Sequence, residues 1–399
     1  MASVRFAPTL LTRAGWVYNV CVFEVKPNLA FQVDIGSQSD VEGIDHIRSY
    51  EQAGLFVPGI ELSLSTKKDQ VIKEIWEGNT VRVLYGRKGK LDLFGEYVIV
   101  KADVLRQTHY WNVTLIGIHK GIKFSVVGRS RFFEDLSVNA IKSVLSEHFS
   151  LKFEAKPTND RMVWIQPRFY PDKAFVLHLW QHSWYPSNNV LLMGIRRDGK
   201  AHIVDLDTLA PREDLRVGTL KGYKRQIGNF AMSFFSKDSN FFVNSKVGEW
   251  KLKEFQYGEH EHRYQVKLGI KDPESYLLGE KASVYKFLVS DNAHANYNAA
   301  IAKNTEILSK LTSVVYSFMW EVCPDCKSGE VNDSRPPIEL FWVLKIAVEE
   351  ANKKERPKEV ASLLPPASGK YIVSAIETII VPGDPIYQQV YVVRDSFRS

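Results

Sequence analysis

The stretch Val126-Val-Gly-Arg-Ser-Arg-Phe-Phe-Glu-Asp-Leu-Ser-Val138 marks a change in the character of this sequence. Upstream of it, apolar residues alternate with polar ones, as in half-buried strands; downstream, they recur every three or four residues, as on one face of a helix. Ser137 is a residue type that caps helices, so we expect it to cap one here. The helical face that follows consists of Val138, Ile141, Val144, Leu145 and His148. The change of period predicts a domain boundary near residue 125.

The residues before this boundary have the pattern of a β domain. Gly59-Ile-Glu-Leu-Ser-Leu-Ser65 alternates apolar and polar side chains over its whole length. Similar runs, separated by short turns such as 86–90, predict strands at residues 17–25, 31–35, 59–65, 81–85, 93–104 and 110–118. Residues 1–124 are therefore predicted to form a sandwich or a small barrel.

Residues 125–207 are predicted to form a small α/β module of helices and a hairpin. A second helix is expected from Asp172 to about His182. Two apolar runs at 190–195 and 202–206 flank Arg197-Asp-Gly-Lys200, and Asp-Gly suits a tight turn because both of its central residues take positive φ. This is the clearest hairpin in the sequence.

Residues 208–399 return to a β pattern, with helical and charged insertions. An apolar stripe predicts one long helix over residues 295–312. Strands are predicted at 230–235, 241–243, 264–270, 314–322, 338–348, 371–381 and 386–393. The polar stretch 349–370 is expected to be a helix fragment and an exposed connection. The whole chain is thus expected to be α+β and mainly β.

The composition is that of a folded, water-soluble protein with many aromatic residues. Of 399 residues, 45% are hydrophobic, 25% are charged and 12% are aromatic, which excludes disordered, collagenous and disulfide-rich chains. The sequence has no long uncharged apolar run that would cross a membrane as a helix. Three cysteines suit a reducing cytoplasm, and a net charge of +6 spread over the chain does not predict dedicated nucleic-acid binding.

The motifs that could carry catalysis or bind a metal are few. Cys323-Pro-Asp-Cys326 could hold half a zinc site or a redox disulfide, with Cys21 or the pair His260 and His262 as further ligands. The spacing of more than 60 residues is unlike a compact zinc finger, so we expect a plain loop. The sequence has no phosphate-binding loop and no nucleophile elbow. We therefore expect no enzyme activity, no cofactor and no metal.

Aromatic residues crowd into residues 164–185, interleaved with Arg168 and His182. The cluster consists of Trp164, Phe169, Tyr170, Trp180, Trp184 and Tyr185. Such residues could stack on nucleic-acid bases or sugars. The alternative, which we favour, is a core beneath two helices together with a subunit interface, because Tyr and Trp are enriched in interfaces.

The segment 126–138, with the helix that follows it, resembles a segment of the baseplate hub proteins of contractile phage tails, which include the T-even hub. It is also similar to the N-terminal part of type VI secretion spike proteins. In that family a strand ends, an aromatic and acidic turn follows, and a helix begins. The matching positions are Gly128, Arg129, Arg131, Phe132, Phe133, Asp135, Ser137, Val138, Ile141, Val144 and Leu145. The order of elements after the motif also agrees, whereas the segments 319–337 and 349–366 have no counterpart in the family.

The resemblance implies a structural protein of the virion tail baseplate, assembled in the host cytoplasm. It implies a homotrimer in which each subunit has two tube-type β-barrels, at 1–124 and 208–399, on either side of the module at 125–207. Three subunits would then present six barrels and join a sixfold tail tube to a threefold central spike around a lumen for the genome. The partners implied are the tail tube protein, the spike protein and other baseplate proteins, with DNA only passing through. A cell-wall-degrading tail hydrolase and an aromatic-platform binding module remain the alternatives.

Overall fold

The computed structural model describes residues 29–87, 90–220, 224–226, 248–257, 261–270, 284–288, 294, 296–311, 314–322, 335–348 and 369–394. Several predictions fall outside these residues: the strands at 17–25, 230–235 and 241–243, the cysteines at 21, 323 and 326, the histidine at 260, and the connection at 349–366. His262 lies in a described strand, but its side chain is not described.

The described residues of the first part of the chain form six strands. They are β1 (Leu29–Ile35), β2 (Ile44–Gln52), β3 (Gly59–Thr66), β4 (Thr80–Arg87), β5 (Lys90–Arg106) and β6 (Trp111–His119), with the short helix α1 (Asp69–Lys73) between β3 and β4. Five of these strands follow the predicted alternation. The sequence did not predict β2, because its inward positions include the buried polar residues Ser49 and Glu51, which break the alternation of apolar side chains.

The middle of the chain forms a mixed α/β module, as predicted. Its elements are α2 (Lys123–Val126), β7 (Arg131–Asp135), α3 (Ser137–Ser146), β8 (Ser150–Phe153), β9 (Met162–Gln166), α4 (Asp172–Gln181), β10 (Leu191–Ile195), β11 (Lys200–Asp205) and α5 (Leu206–Leu209). Strands β7 and β9 form a two-stranded ribbon, and β8 joins the β10–β11 hairpin. The predicted hairpin is present, but its turn differs from the expected one: Gly199 has a φ of 78°, whereas the φ of Asp198 is not positive.

The last part of the chain returns to strands around one long helix. Its described elements are β12 (Leu215–Leu220), β13 (Lys224–Gln226), β14 (Gly248–Tyr257), β15 (Glu261–Ile270), β16 (Val284–Leu288), α6 (Tyr297–Leu311), β17 (Val314–Val322), β18 (Val343–Val348), β19 (Gly369–Ile380) and β20 (Ile386–Arg394). The predicted helix at 295–312 and the predicted terminal hairpin are confirmed. No helix among the described residues is long and apolar enough to span a bilayer.

One large sheet joins the first and last parts of the chain. Its strand order is β1-β4-β5-β6-β3-β2-β19-β20-β17-β13, with β18 and β12 attached to β19. The junction is the antiparallel pair β2–β19, in which Gln52 lies opposite Ala375 and Ile47 opposite Ile380. The fold is thus mainly β, and its central sheet is built from segments at opposite ends of the sequence.

The hairpin β10–β11 fastens the module to both halves of this sheet. Arg197 bonds to buried Glu51 on β2 with its backbone nitrogen and its guanidinium, each at 2.8 Å. Arg196 makes a two-bond pair with Glu339, just before β18, at 2.6 and 2.8 Å. Adjacent arginines on one turn therefore hold the two halves of the sheet against the module.

Three local predictions were wrong. Ser137 does not cap α3, since it is the first residue of the helix and the preceding Leu136 makes no side-chain cap. The expected aromatic and acidic turn after residue 131 is instead strand β7, because it pairs with β9 along its whole length. The predicted strand at 338–348 is a strand only from Val343, because Phe341 turns the backbone with a φ of 62° and packs beside Gly194.

Candidate functional site

Arg131, at the start of β7, is the centre of a network of ionic groups in the module. Its Nε donates to Gln166 Oε1 at 2.7 Å, and one terminal nitrogen donates to Asp172 Oδ1 at 2.6 Å. The other terminal nitrogen pairs with Glu147, which also accepts from Arg129 at 2.8 Å. The network therefore ties β7 to β9, to the end of α3 and to the start of α4.

Asp172 is the buried member of this network. Its second oxygen, Oδ2, lies 2.7 Å from His148 Nε2, and Gln166 Nε2 donates to Oδ1 at 2.7 Å. Burial alone would raise the pKa of Asp172, but the hydrogen bonds from Gln166, His148 and Arg131 outweigh that effect and lower the pKa. The carboxylate is thus held in its charged form by three partners.

Glu147, His148 and Asp172 are spaced closely enough to hold a metal ion, with one ligand atom each within 4.8 Å of the others. The guanidinium of Arg131 bonds to both carboxylates, however, and so supplies the positive charge that a cation would bring. The arrangement has the chemistry of a salt-bridge network that joins elements of the module.

A second buried carboxylate, that of Asp160, caps the start of α3, which is the role predicted for Ser137. Asp160 Oδ1 accepts from the backbone nitrogen of Ser137 at 2.9 Å, and Oδ2 accepts from its hydroxyl at 2.5 Å. Thr158 and the backbone nitrogen of Trp184 donate to Asp160 as well, at 2.7 and 2.8 Å. Asp160 therefore satisfies the free backbone donor at the start of α3 from another loop.

The two phenylalanines of the motif lie on opposite faces of the β7–β9 ribbon. Phe133 stacks on Phe175 with ring centroids 6.1 Å apart, and so joins the core of the module. Phe132 faces solvent beside Ile165, its partner across the β7–β9 ribbon. Val138, Ile141, Val144 and Leu145 are all buried, as their helical spacing predicted.

Gly128 lies where the chain passes closest to the start of α4. It forms an isolated bridge with Pro171, and a Cβ atom at this position would lie 2.4 Å from the carbonyl oxygen of Tyr170. The motif glycine is therefore required by a close approach of two backbones.

Half of the aromatic cluster at 164–185 belongs to the core. Trp164, Trp180 and Tyr185 are buried, and the indole of Trp180 donates to the carbonyl of Leu191 at 2.6 Å. These rings are not free to stack on a ligand, so the structure favours the core interpretation for them. Phe169 and Tyr170 are the exposed members of the cluster.

The sequence analysis missed a group of histidines between α4 and α6. The rings of His178 and His182 lie 4.3 Å apart, and Tyr297 of α6 stacks on His182 at 4.0 Å. Burial, with His178 adding to it, lowers the pKa of His182 to about 3, and burial also lowers the pKa of His178 and of His294. The four-residue spacing of His178 and His182 was the one signal in the sequence.

Comparison with known proteins places this arrangement in a known fold. No family model and no curated protein matches the sequence. The tail protein from Neisseria meningitidis MC58 matches 93% of this chain and 98% of its own, with a TM-score of 0.51 and 9% identity. The 43 kDa tail protein of prophage MuSo2 from Shewanella oneidensis matches 92% of this chain and 98% of its own, with a TM-score of 0.54 and 8% identity. This chain has the fold of phage tail proteins.

The phage tail fold agrees with the family resemblance drawn from the sequence, which is therefore confirmed as a likeness of fold. The matching positions at residues 126–138 stay a prediction. An Escherichia coli component of the type VI secretion system, described as structurally similar to T4 bacteriophage tail proteins, matches 91% of this chain and 77% of its own, with 8% identity. Its TM-score of 0.43 is too low to add to the assignment of the fold.

Proposed function

We propose that this protein is a structural component of a phage tail, and specifically the hub of its baseplate. The observation that carries the proposal is the match with two tail proteins over more than nine tenths of this chain and 98% of each of theirs. A protein of this kind acts by fitting its neighbours, so it needs interfaces and no catalytic groups. The buried state of Trp164, Trp180 and Asp172 supports a structural role for the residues around the motif.

In this role three copies form a ring around a lumen for DNA. Each copy contributes two tube-type barrels, from residues 1–124 and 208–399, and the module at 125–207 holds them together. Six barrels then match the sixfold tail tube, and three copies match the threefold spike. The sheet that runs through β2 and β19 supports this proposal, because it gives the two halves of one subunit a fixed relation.

The direct test is the mass of the purified protein in solution, measured by light scattering behind a sizing column over a range of concentrations. We expect a species of three times the 45.6 kDa of one chain. A second measurement adds the cognate tail tube protein and looks for co-elution. A chain that stays monomeric at every concentration, alone and with the tube protein, contradicts the hub proposal.

A further inference from the structure

The ribbon β7–β9 carries an exposed apolar surface that we call the ribbon patch: Val126, Phe132, Ile165, Phe169 and Tyr170. Four of these five are the most exposed large apolar side chains in the described part of the chain, and Phe169 is 82% exposed. Phe132 and Ile165 are cross-strand partners, and the bridge between Gly128 and Pro171 brings the segments of Val126 and Tyr170 together. A contiguous exposed surface of this kind marks a site of interaction with another molecule.

The backbone of Phe169 is a second, independent indication that this surface binds another molecule. Its φ is 70°, in the left-handed region that a bulky side chain enters only at a cost in free energy. The side chain that this strained backbone presents points to solvent, with the guanidinium of Arg168 at 5.0 Å over its ring. A strained backbone that keeps an aromatic ring exposed to water is typical of a site where another molecule covers the ring on binding.

The ribbon patch lies in a basic part of the surface. The exposed charged residues of segments 123–134 and 161–170 are four basic and one acidic, for a net charge of +3: Lys123, Arg129, Arg161 and Arg168 against Glu134. An occupant of this surface should therefore offer an apolar side chain among carboxylates.

The same chain carries such a surface, which we call the acidic corner: segments 34–43 and 67–77 with the exposed Trp76. It contains six carboxylates and three lysines, for a net charge of −3: Asp34, Asp40, Glu42, Asp69, Glu74 and Glu77 against Lys67, Lys68 and Lys73. The two segments are in contact, since Ser37 donates to Glu74 at 2.6 Å and Lys68 pairs with Glu42 at 3.0 Å. Trp76 is 56% exposed beside Glu77.

The acidic corner and the contact between the module and β2 lie at opposite ends of β2. The acidic corner adjoins Gly43, just before β2 begins, whereas the module begins to contact the chain at Gly54, just after β2 ends. A nine-residue strand spans roughly 30 Å, and this length separates the acidic corner from the point where the module contacts β2.

We propose that the ribbon patch of one copy binds the acidic corner of the next copy around the ring. The inference rests on the proposed homotrimer, because a closed ring of three requires each copy to offer two different and complementary surfaces. Phe169 and Phe132 then pack against Trp76, and Arg168 and Arg161 face Glu77 and its neighbours. Covering the apolar surface stabilises the ring, and the opposite charges set its direction.

A charge exchange tests this contact. The variants Arg168→Glu and Glu77→Arg are each expected to raise the protein concentration at which half of the chains are trimeric by about tenfold or more, because like charges then face each other. The double variant, with both changes, is expected to recover most of that loss. Phe169→Ala is expected to weaken assembly at least as much as either single change, and Arg216→Glu, at an exposed position on β12, serves as the control.

Thermal unfolding of each variant at a concentration where it is monomeric checks that the fold is intact. Single variants that assemble as the unmodified protein does, or a double variant no better than the worse single one, overturn the contact but leave the hub proposal standing. An unmodified protein that never forms a trimer overturns both.

Discussion

At the scale of single residues, burial decides what the charged residues of the motif do. Arg129 and Arg131 both pair with Glu147, but the Arg129 side chain is 57% exposed and the Arg131 side chain only 15%. Water screens the exposed pair of Arg129 and Glu147, so this pair contributes less than about 1 kcal/mol to stability. Arg131 also neutralises the buried Asp172, and a buried carboxylate without its partner is costly.

Arg131→Ala is therefore expected to lower the free energy of unfolding by about 3 kcal/mol, because it leaves Asp172 buried without its cation. Urea unfolding near neutral pH measures this. Arg129→Ala is the matched control, and its expected loss is under about 1 kcal/mol. Equal losses in the two variants would contradict the central role of Arg131.

Gly128→Ala tests the close approach of two backbones beside the motif. The added Cβ would meet the carbonyl oxygen of Tyr170, so the backbone must shift, and we expect a loss of about 1–3 kcal/mol in the free energy of unfolding. Gly59→Ala is the control, since a Cβ there would lie 3.6 Å from its nearest neighbour, which is ordinary contact. A Gly128→Ala variant as stable as the unmodified protein contradicts the close approach.

At the scale of elements, the turn of the β10–β11 hairpin connects parts of the fold that are far apart in sequence. Arg196 reaches Glu339 before β18, and Arg197 reaches Glu51 on β2. Glu51 is only 3% exposed, and Arg197 in this turn supplies the positive charge that balances its carboxylate. The hairpin thus acts as a clamp between the module and the sheet.

Arg197→Ala is expected to destabilise the protein by about 3 kcal/mol, because it leaves the Glu51 carboxylate buried and unpaired. The double variant Arg197→Ala, Glu51→Leu removes both charges and should recover a large part of the loss. Lys345→Ala, which removes an exposed pairing with Glu213, is the control and should change stability by less than about 1 kcal/mol. Urea unfolding of all four proteins decides the question, and a double variant less stable than Arg197→Ala would refute the explanation.

At the scale of the whole molecule, buried histidines link stability to pH. Burial lowers the pKa of His182 to about 3 and, with Lys120 adding to it, that of His119 to about 4. Burial also lowers the pKa of His202 to about 4, although its hydrogen bond with Glu154 opposes the shift. In the unfolded chain histidine titrates near 6.5, so below that pH the unfolded state binds more protons than the folded state.

The free energy of unfolding is therefore expected to be highest above pH 6.5 and to fall by at least about 2 kcal/mol between pH 7.5 and pH 5. The lowered pKa of Asp172 adds a further loss only below about pH 4, where the same carboxyl group in the unfolded chain takes up a proton before the folded one does. His182→Phe, which keeps a ring beneath Tyr297, should reduce the dependence on pH. Urea unfolding at both pH values measures the slope, and a flat profile is the contrary result.

Much of the local structure could be predicted from the sequence. Helices α3, α4 and α6 and the hairpins β10–β11 and β19–β20 follow from apolar spacing and turn residues, which depend on neighbours only a few positions away. The sequence did not predict that Asp160, Asp172 and His148 make the buried polar contacts around the motif. They lie in other loops and helices, and no local pattern marks a carboxylate that will be buried.

The sequence by itself determined the mainly β character and which residues share a face of each predicted helix and strand, because side-chain period follows directly from backbone geometry. Only the tertiary structure decided that β2 pairs with β19, that Arg131 is buried while Arg129 is not, and that Phe132 and Phe169 face solvent. Each of these depends on which distant segments come together, and that is set by burial over the whole molecule. The tertiary environment therefore gave each residue of the segment 126–138 its role.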